Sequence, residues 1–315
     1  MTAGLARVIS VTAAPAERED LSAGAGVLAD RTPISVVHLG LTAVALGCAA
    51  AGFDLGSGAA AMSCCAAILL LGLPHGALDL VALLRARLRH RAILAYLALG
   101  CSMAALWLMV PGVALLLFFA FATVHFGEDW PGSGLIANGG GLALLAAPLL
   151  LRHDEIGELF AVIAGPQVIP PLADMLLLVA PVAIAAGVAG CVLLWISGRT
   201  MLAASSAAAL VGMVVLPPLA GFALYFGLFH SPRQFARGLA KLDGYAWRMP
   251  VAAASAMAIL LVFGVARVAE TLSISDGIVR ATFIVLSVLT VPHMMLPLIL
   301  RSTDTVGPNA PPGRN

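Results

Sequence analysis

Gly72-Leu73-Pro74-His75-Gly76-Ala77-Leu78-Asp79 lies inside an unbroken apolar run from Ser57 to Leu84. That run exceeds the ~20 residues needed to cross a bilayer as a helix. A histidine and an aspartate are expensive in hydrocarbon, and within a span they face the protein interior or a polar cavity and mark function. His75 and Asp79 are four apart and share a helix face. Pro74 withholds a backbone donor just before the histidine, and Gly76 allows another backbone or a ligand to come close.

Working outward, the whole chain has this character. Of 315 residues, 61% are hydrophobic and 10% charged, with a mean hydropathy of +1.02. Soluble domains carry about 25% charged residues. The expected fold is therefore all-α: a polytopic integral membrane helical bundle. The net charge of +1 gives no electrostatic case for nucleic acid. Cys48, Cys64, Cys65, Cys101 and Cys191 all fall in apolar runs without zinc-ligand spacing, so they read as reduced core residues.

Ten stretches qualify as spans, with about 8–10 transmembrane helices expected. They run near Pro33 to Phe53, Ser57 to Leu84, Ala92 to Val110, Gly112 to Gly127, Leu135 to Leu151, Leu172 to Trp195, Met201 to Leu216, Leu219 to Phe229, Val251 to Val268 and Gly277 to Leu300. Arg152 to Glu158 is a polar stretch, Phe160 to Pro171 reads as a re-entrant or interfacial piece, and a polar, basic loop carries Arg233, Arg237, Lys241 and Arg248. Residues 1–32 read as a cytoplasmic tail, 33–300 as a single transmembrane catalytic domain and 301–315 as a disordered tail. With the N-terminus inside and alternating spans, only Arg152, Arg267 and Arg280 of the 17 Lys and Arg residues fall on or near the outer side. The positive-inside rule then predicts an N-in, C-in, multi-pass protein of the cell's inner membrane.

On this topology His75, His125, His230 and His293 fall on even-numbered spans, all in the inner half. At ~1.5 Å rise per residue their depths differ by about 10 to 15 Å at most, so four imidazoles can surround one metal ion. His38, His90 and His153 lie elsewhere and receive no role. Asp79, Glu128, Asp129 and Gln234 stand one turn from a cage histidine. The carboxylates suit the task of accepting the far imidazole proton and fixing the tautomer. A nitrogen cage without cysteine suits iron, copper or zinc. The membrane setting favours a lipid-soluble substrate, for which Tyr225, Phe226 and Phe229 are the expected walls.

Four motifs, in order, carry a resemblance: Gly72-Leu-Pro-His-Gly-Ala-Leu-Asp79, His125-Phe-Gly127, Phe229-His-Ser-Pro-Arg233 and Pro292-His-Met-Met295. They resemble the Brp/Blh family of membrane-bound β-carotene 15,15′-dioxygenases over roughly Leu70 to Leu300. The resemblance implies Fe(II) held by His75, His125 and His230, with His293 a further ligand. It implies O2-dependent cleavage of the central double bond of β-carotene, or a related carotenoid, to retinal, which would supply a microbial rhodopsin. The family's third motif often ends in a second histidine, where this chain has Gln234. The chemistry would be the metal's, with no catalytic residue beyond its ligands.

Two further classes fit less well. A membrane di-iron desaturase needs more histidines, in clustered boxes. A polytopic transporter with a His/Asp proton or metal pathway would suit the Pro- and Gly-broken spans.

Overall fold

The computed structural model describes residues 33–132, 134–166, 169–240, 242, 244–268 and 272–304. The described residues form eleven helices and no strand. They are α1 (Pro33–Ala50), α2 (Gly58–Arg85), α3 (Arg89–Met109), α4 (Pro111–Gly127), α5 (Leu135–Ala146), α6 (Leu149–Ala164), α7 (Ile169–Ile196), α8 (Thr200–Val215), α9 (218–239), α10 (Arg248–Val268) and α11 (Ile274–Asp304).

Six of these, α1, α2, α3, α7, α10 and α11, are long and apolar enough to cross a membrane. The pair α5 and α6, bent by 65°, makes a seventh if it is one broken span. At 17 and 16 residues, α4 and α8 fall short of the ~20 that span alone. The chain is a multi-pass membrane protein. The apolar residues that face outward, such as Leu94, Leu108, Val182 and Leu260, meet lipid, so burial in the bundle is a matter of packing and polar contacts.

Local sequence sets the breaks. Ser57 caps α2 by accepting from the Ala60 amide at 3.3 Å. Pro111 opens α4 at a position where its missing N–H costs nothing. The polar stretch from Arg152 to Glu158 is helical. Arg152 alone leaves helical geometry (φ −135°, ψ 38°), and its guanidinium donates to the Val215 carbonyl at 2.7 and 3.0 Å. Phe160 is buried on α6 rather than starting a separate piece, because α6 runs on to Ala164. The last helix continues past residue 300 to Asp304. The tails expected over residues 1–32 and 305–315 lie outside the described residues.

Two helices contain a π turn. In α2 it covers Ile68–Gly72, immediately before Leu73-Pro74-His75. In α9 it covers Phe226–His230, between Pro218–Tyr225 and Ser231–Leu239. Such widened turns insert one extra residue and re-aim the side chains that follow. The two pack on one another: a Cβ added at Gly72 would lie 2.3 Å from the Phe226 ring. Only glycine lets that ring sit on the α2 backbone.

Because α9 continues through His230 to Leu239, the segment read as a basic loop is helical up to that point. Arg233 is not a surface anchor there: it is 3% exposed. The end of α4 is fixed against α5, where a Cβ at Gly141 would meet the Thr123 carbonyl at 2.1 Å. That contact brings the two backbones together beside His125.

Candidate functional site

Four helices deliver the four predicted histidines to one place. His75 comes from α2, His125 from α4, His230 from the π turn of α9 and His293 from α11. His75 lies 5.7 Å from His125, 5.4 Å from His230 and 5.4 Å from His293, between ring centroids. His125 lies 4.5 Å from His230 and 5.0 Å from His293. One nitrogen each from His75, His125 and His230 falls within a 4.8 Å cluster, and all three side chains are buried. His293 stands beside this trio.

Hydrogen bonds fix the tautomers. His75 turns Nδ1 to the Gly72 carbonyl at 2.5 Å. His230 turns Nδ1 to Asp129 Oδ2 at 2.7 Å. His293 turns Nδ1 to the Asp79 carboxylate at 2.8 and 3.0 Å. Each Nδ1 is thus a donor, and each Nε2 carries a bare lone pair. His230 Nε2 and His125 Nε2 face each other at 2.9 Å. Lone pairs that converge in a buried space, backed at His75, His230 and His293 by a bond on the far nitrogen, are what a metal ion requires. The donor set fits a divalent transition metal.

The outer acids are distributed differently from the sequence reading. Asp79 is one turn from His75 but holds His293, and Tyr96 donates to its Oδ2 at 2.9 Å. Glu128 Oε2 is 4.0 Å from His125 Nδ1, beyond hydrogen-bond reach, and its side chain is half exposed. Gln234 meets the cage at one remove: its Nε2 reaches Glu128 Oε2 at 3.4 Å. Asp129, four residues after His125, serves His230 instead of the histidine of its own helix. It also accepts from Tyr225 at 3.0 Å and Arg233 at 3.3 Å, with Arg237 at 3.8 Å. The signal in the sequence was the pairing of an intramembrane aspartate with Arg233, two charges that stay buried only when matched.

A cavity of about 660 Å³ borders the cage. His75, His125 and His293 lie on its wall. On one side the wall is aromatic: Phe118, Phe126, Phe222 and Phe226. Elsewhere it is small and apolar, with Gly76, Gly100, Ala253 and Ala254 among its residues. Tyr96 and Thr290 also line it, but the hydroxyl of Tyr96 is bonded to Asp79 and that of Thr290 to the Leu286 carbonyl. Leu97 on α3 and Met257 on α10 line the cavity while remaining exposed at the bundle surface. The cavity therefore opens towards lipid between these helices.

Of the three expected wall residues, Phe226 lines the cavity and Tyr225 and Phe229 do not. The helix explains the split: Phe222, Phe226 and His230 follow at four-residue intervals on the cage face. Tyr225 and Phe229 share the neighbouring face, where Tyr225 bonds Asp129 and Phe229 packs under Arg233 and His38.

A family model described as Beta-carotene 15,15'-dioxygenase matches residues 66–301. The chain belongs to this family. A similar protein is the Beta-carotene 15,15'-dioxygenase of Uncultured marine bacterium 66A03, 29% identical over 266 residues, covering 73% of this chain and 90% of the relative. No solved structure matches the chain. Within the Beta-carotene 15,15'-dioxygenase match lie all four cage histidines, Asp79, Asp129 and every residue of the cavity wall. Helix α1, with His38, lies outside it.

Proposed function

We propose that this chain is an iron-dependent dioxygenase that cleaves β-carotene, or a related carotenoid, with O2 at the central 15,15′ double bond to give retinal. The observation that carries the reading is the meeting of a buried histidine cluster with an apolar cavity open to lipid. Family membership and the relative's name supply the substrate class.

His75, His125 and His230 would hold the metal, with His293 as a fourth ligand. A bound Fe(II) would supply O2 activation beside the polyene, which the protein's own side chains do not offer. The protein's part is to bind, orient and exclude water. Asp129 and Asp79 hold His230 and His293 in fixed tautomers. Phe226, stacked on Phe222 at 5.2 Å, and Phe126 give a polyene flat walls beside the cage. The bonded hydroxyls of Tyr96 and Thr290 leave no free hydroxyl on the wall, which suits a hydrocarbon substrate. The substrate enters from the bilayer between α3 and α10, in the plasma membrane of the cell, and the retinal released there would be available to a rhodopsin.

The test is expression in a β-carotene-producing bacterium with pigment chromatography, beside His75→Ala. Central cleavage predicts retinal as the product and loss of carotene in the wild type alone. Longer apocarotenals would place the break elsewhere, and unchanged carotene with folded, metal-loaded protein would contradict the substrate assignment.

A further inference from the structure

Helix α1 is built inside out. Its buried residues are Ser35, His38 and Thr42, all polar, at spacings of three and four that put them on one face. Its apolar side chains Val36, Val37, Leu41 and Val44 face outward. The polar face lies against α8 and α9. Thr42 reaches Gly212 of α8, with its methyl 3.6 Å from where a Cβ would stand. The two helices run parallel, since Gly56 beyond the end of α1 meets Pro217 beyond the end of α8. Ser205 and Ser206, about two turns before Gly212, are therefore level with Ser35. Helix α9 returns the other way, from Gly221 packed against Gly212 to Phe229, whose ring lies 5.0 Å from His38, and then to Ser231 and Arg233.

The polar atoms of this seam have no hydrogen-bond partner among the described residues: Ser35, Thr42, Ser205 and Ser206 hydroxyls, both ring nitrogens of His38, and Arg233 Nε. All six side chains are at most 3% exposed. A hydroxyl in a membrane helix can instead bond the carbonyl one turn back. Ser63, Ser102, Thr282 and Thr290 do this here, and the seam hydroxyls do not. A buried polar group left unpaired is costly, and more so where no bulk water is available.

We propose that the seam between α1, α8 and α9 is an internal hydration site, holding ordered water that starts near the head of α1 and ends at Arg233. The lining chemistry selects water over an ion. Every seam side chain except Arg233 can be neutral and can both donate and accept, and a buried water makes about three such bonds. The water completes the bonding of a guanidinium that stacks over Phe229 at 4.6 Å and spends Nη1 on Asp129 at 3.3 Å. It explains why a chain carries a span whose only buried residues are polar. The proposal stands apart from the metal reading, and a dry seam would leave carotenoid cleavage untouched.

The test is radiolytic hydroxyl-radical footprinting of the full chain in lipid nanodiscs prepared in H2-18O. Phe229 is sealed from the surface, whereas Phe263 is exposed to lipid. Seam water predicts that Phe229 gains labelled oxygen at least about threefold faster than Phe263, because buried water sits within bonding distance of its neighbours. Equal or slower labelling overturns the proposal. His38→Leu supplies a second reading. A hydrated seam predicts slower labelling of Phe229 and a lower melting temperature. A dry seam predicts an unchanged or higher melting temperature, since an unpaired polar group would have been removed, and that result also overturns it.

Discussion

Asp129 and His230, 101 residues apart, meet at 2.7 Å with both side chains sealed from solvent. The aspartate stands just past the end of α4, and its amide bonds back to the Phe126 carbonyl at 3.1 Å. That turn carries the carboxylate inward, away from the half-exposed Glu128. Asp129→Asn keeps the shape but removes the charge that orients His230 Nδ1–H. Loss of such a partner costs roughly 10- to 100-fold in metal affinity. Fe(II) titration of the purified variant checks this, and unchanged affinity would remove Asp129 from the account.

Arg233 pairs with Asp129 where both are sealed from bulk solvent. Arg233→Met would leave the carboxylate only the more distant Arg237, at 3.8 Å, and breaking a buried pair costs about 3–5 kcal/mol. The measured quantity is the unfolding midpoint. A change of less than about 1 kcal/mol, typical of an exposed pair, would contradict the placement of Arg233 in the interior.

Gln234 occupies the position where a histidine often stands in the resemblance, yet it bonds Glu128 at 3.4 Å on the exposed side. Gln234→Ala and Gln234→His are therefore expected to keep metal content and to change turnover by no more than about twofold, the effect of a weak surface contact. A gain of more than tenfold for Gln234→His would mean that this position reaches the cage.

Gly72 and Phe226 test the packing of the two π turns. Gly72→Ala places a methyl 2.3 Å from the Phe226 ring, and overpacking of this kind costs about 1–3 kcal/mol. Phe226→Leu in the same chain should restore the melting temperature while leaving the cavity wall altered. Failure of the double variant to recover would show that the ring contact is not the cause.

Ala254 lines the cavity on α10. Ala254→Trp should obstruct the lipid-facing approach, raising KM about tenfold while leaving bound metal unchanged, the signature of lost substrate binding. Equal loss of metal and turnover would mean that the residue supports the cage.

The all-helical membrane character and the four histidines were legible because both depend on local sequence and on depth; the span count was not, since six helices, or seven with the bent pair, are long and apolar enough where eight to ten were expected. The positions of His75, His125, His230 and His293 along parallel helices brought them to one level. The partners of those histidines were not legible. Asp79 shares a face with His75, but Pro74 and the preceding π turn turn that ring to the Gly72 carbonyl, and Asp79 is left to the helix that packs opposite. The four-residue spacing from His230 marks Phe226, and also Phe222, as wall residues and sets Tyr225 and Phe229 apart, a signal the choice of the three nearest aromatic residues did not use. Arg233 and Arg237 read as loop cations because nothing in the sequence marks that α9 continues past His230. His38 was set aside because its surroundings come from helices far along the chain.

The most direct measurement is the metal content of chains purified without added chelator, wild type beside His125→Ala, by elemental analysis. His125 belongs to the buried trio and faces His230 at 2.9 Å. The account predicts about one iron per wild-type chain, as for a single closed site, and little or none in the variant, with retinal formation lost in parallel. A folded wild type that binds no transition metal, or a variant that keeps the full iron content, would contradict the histidine centre.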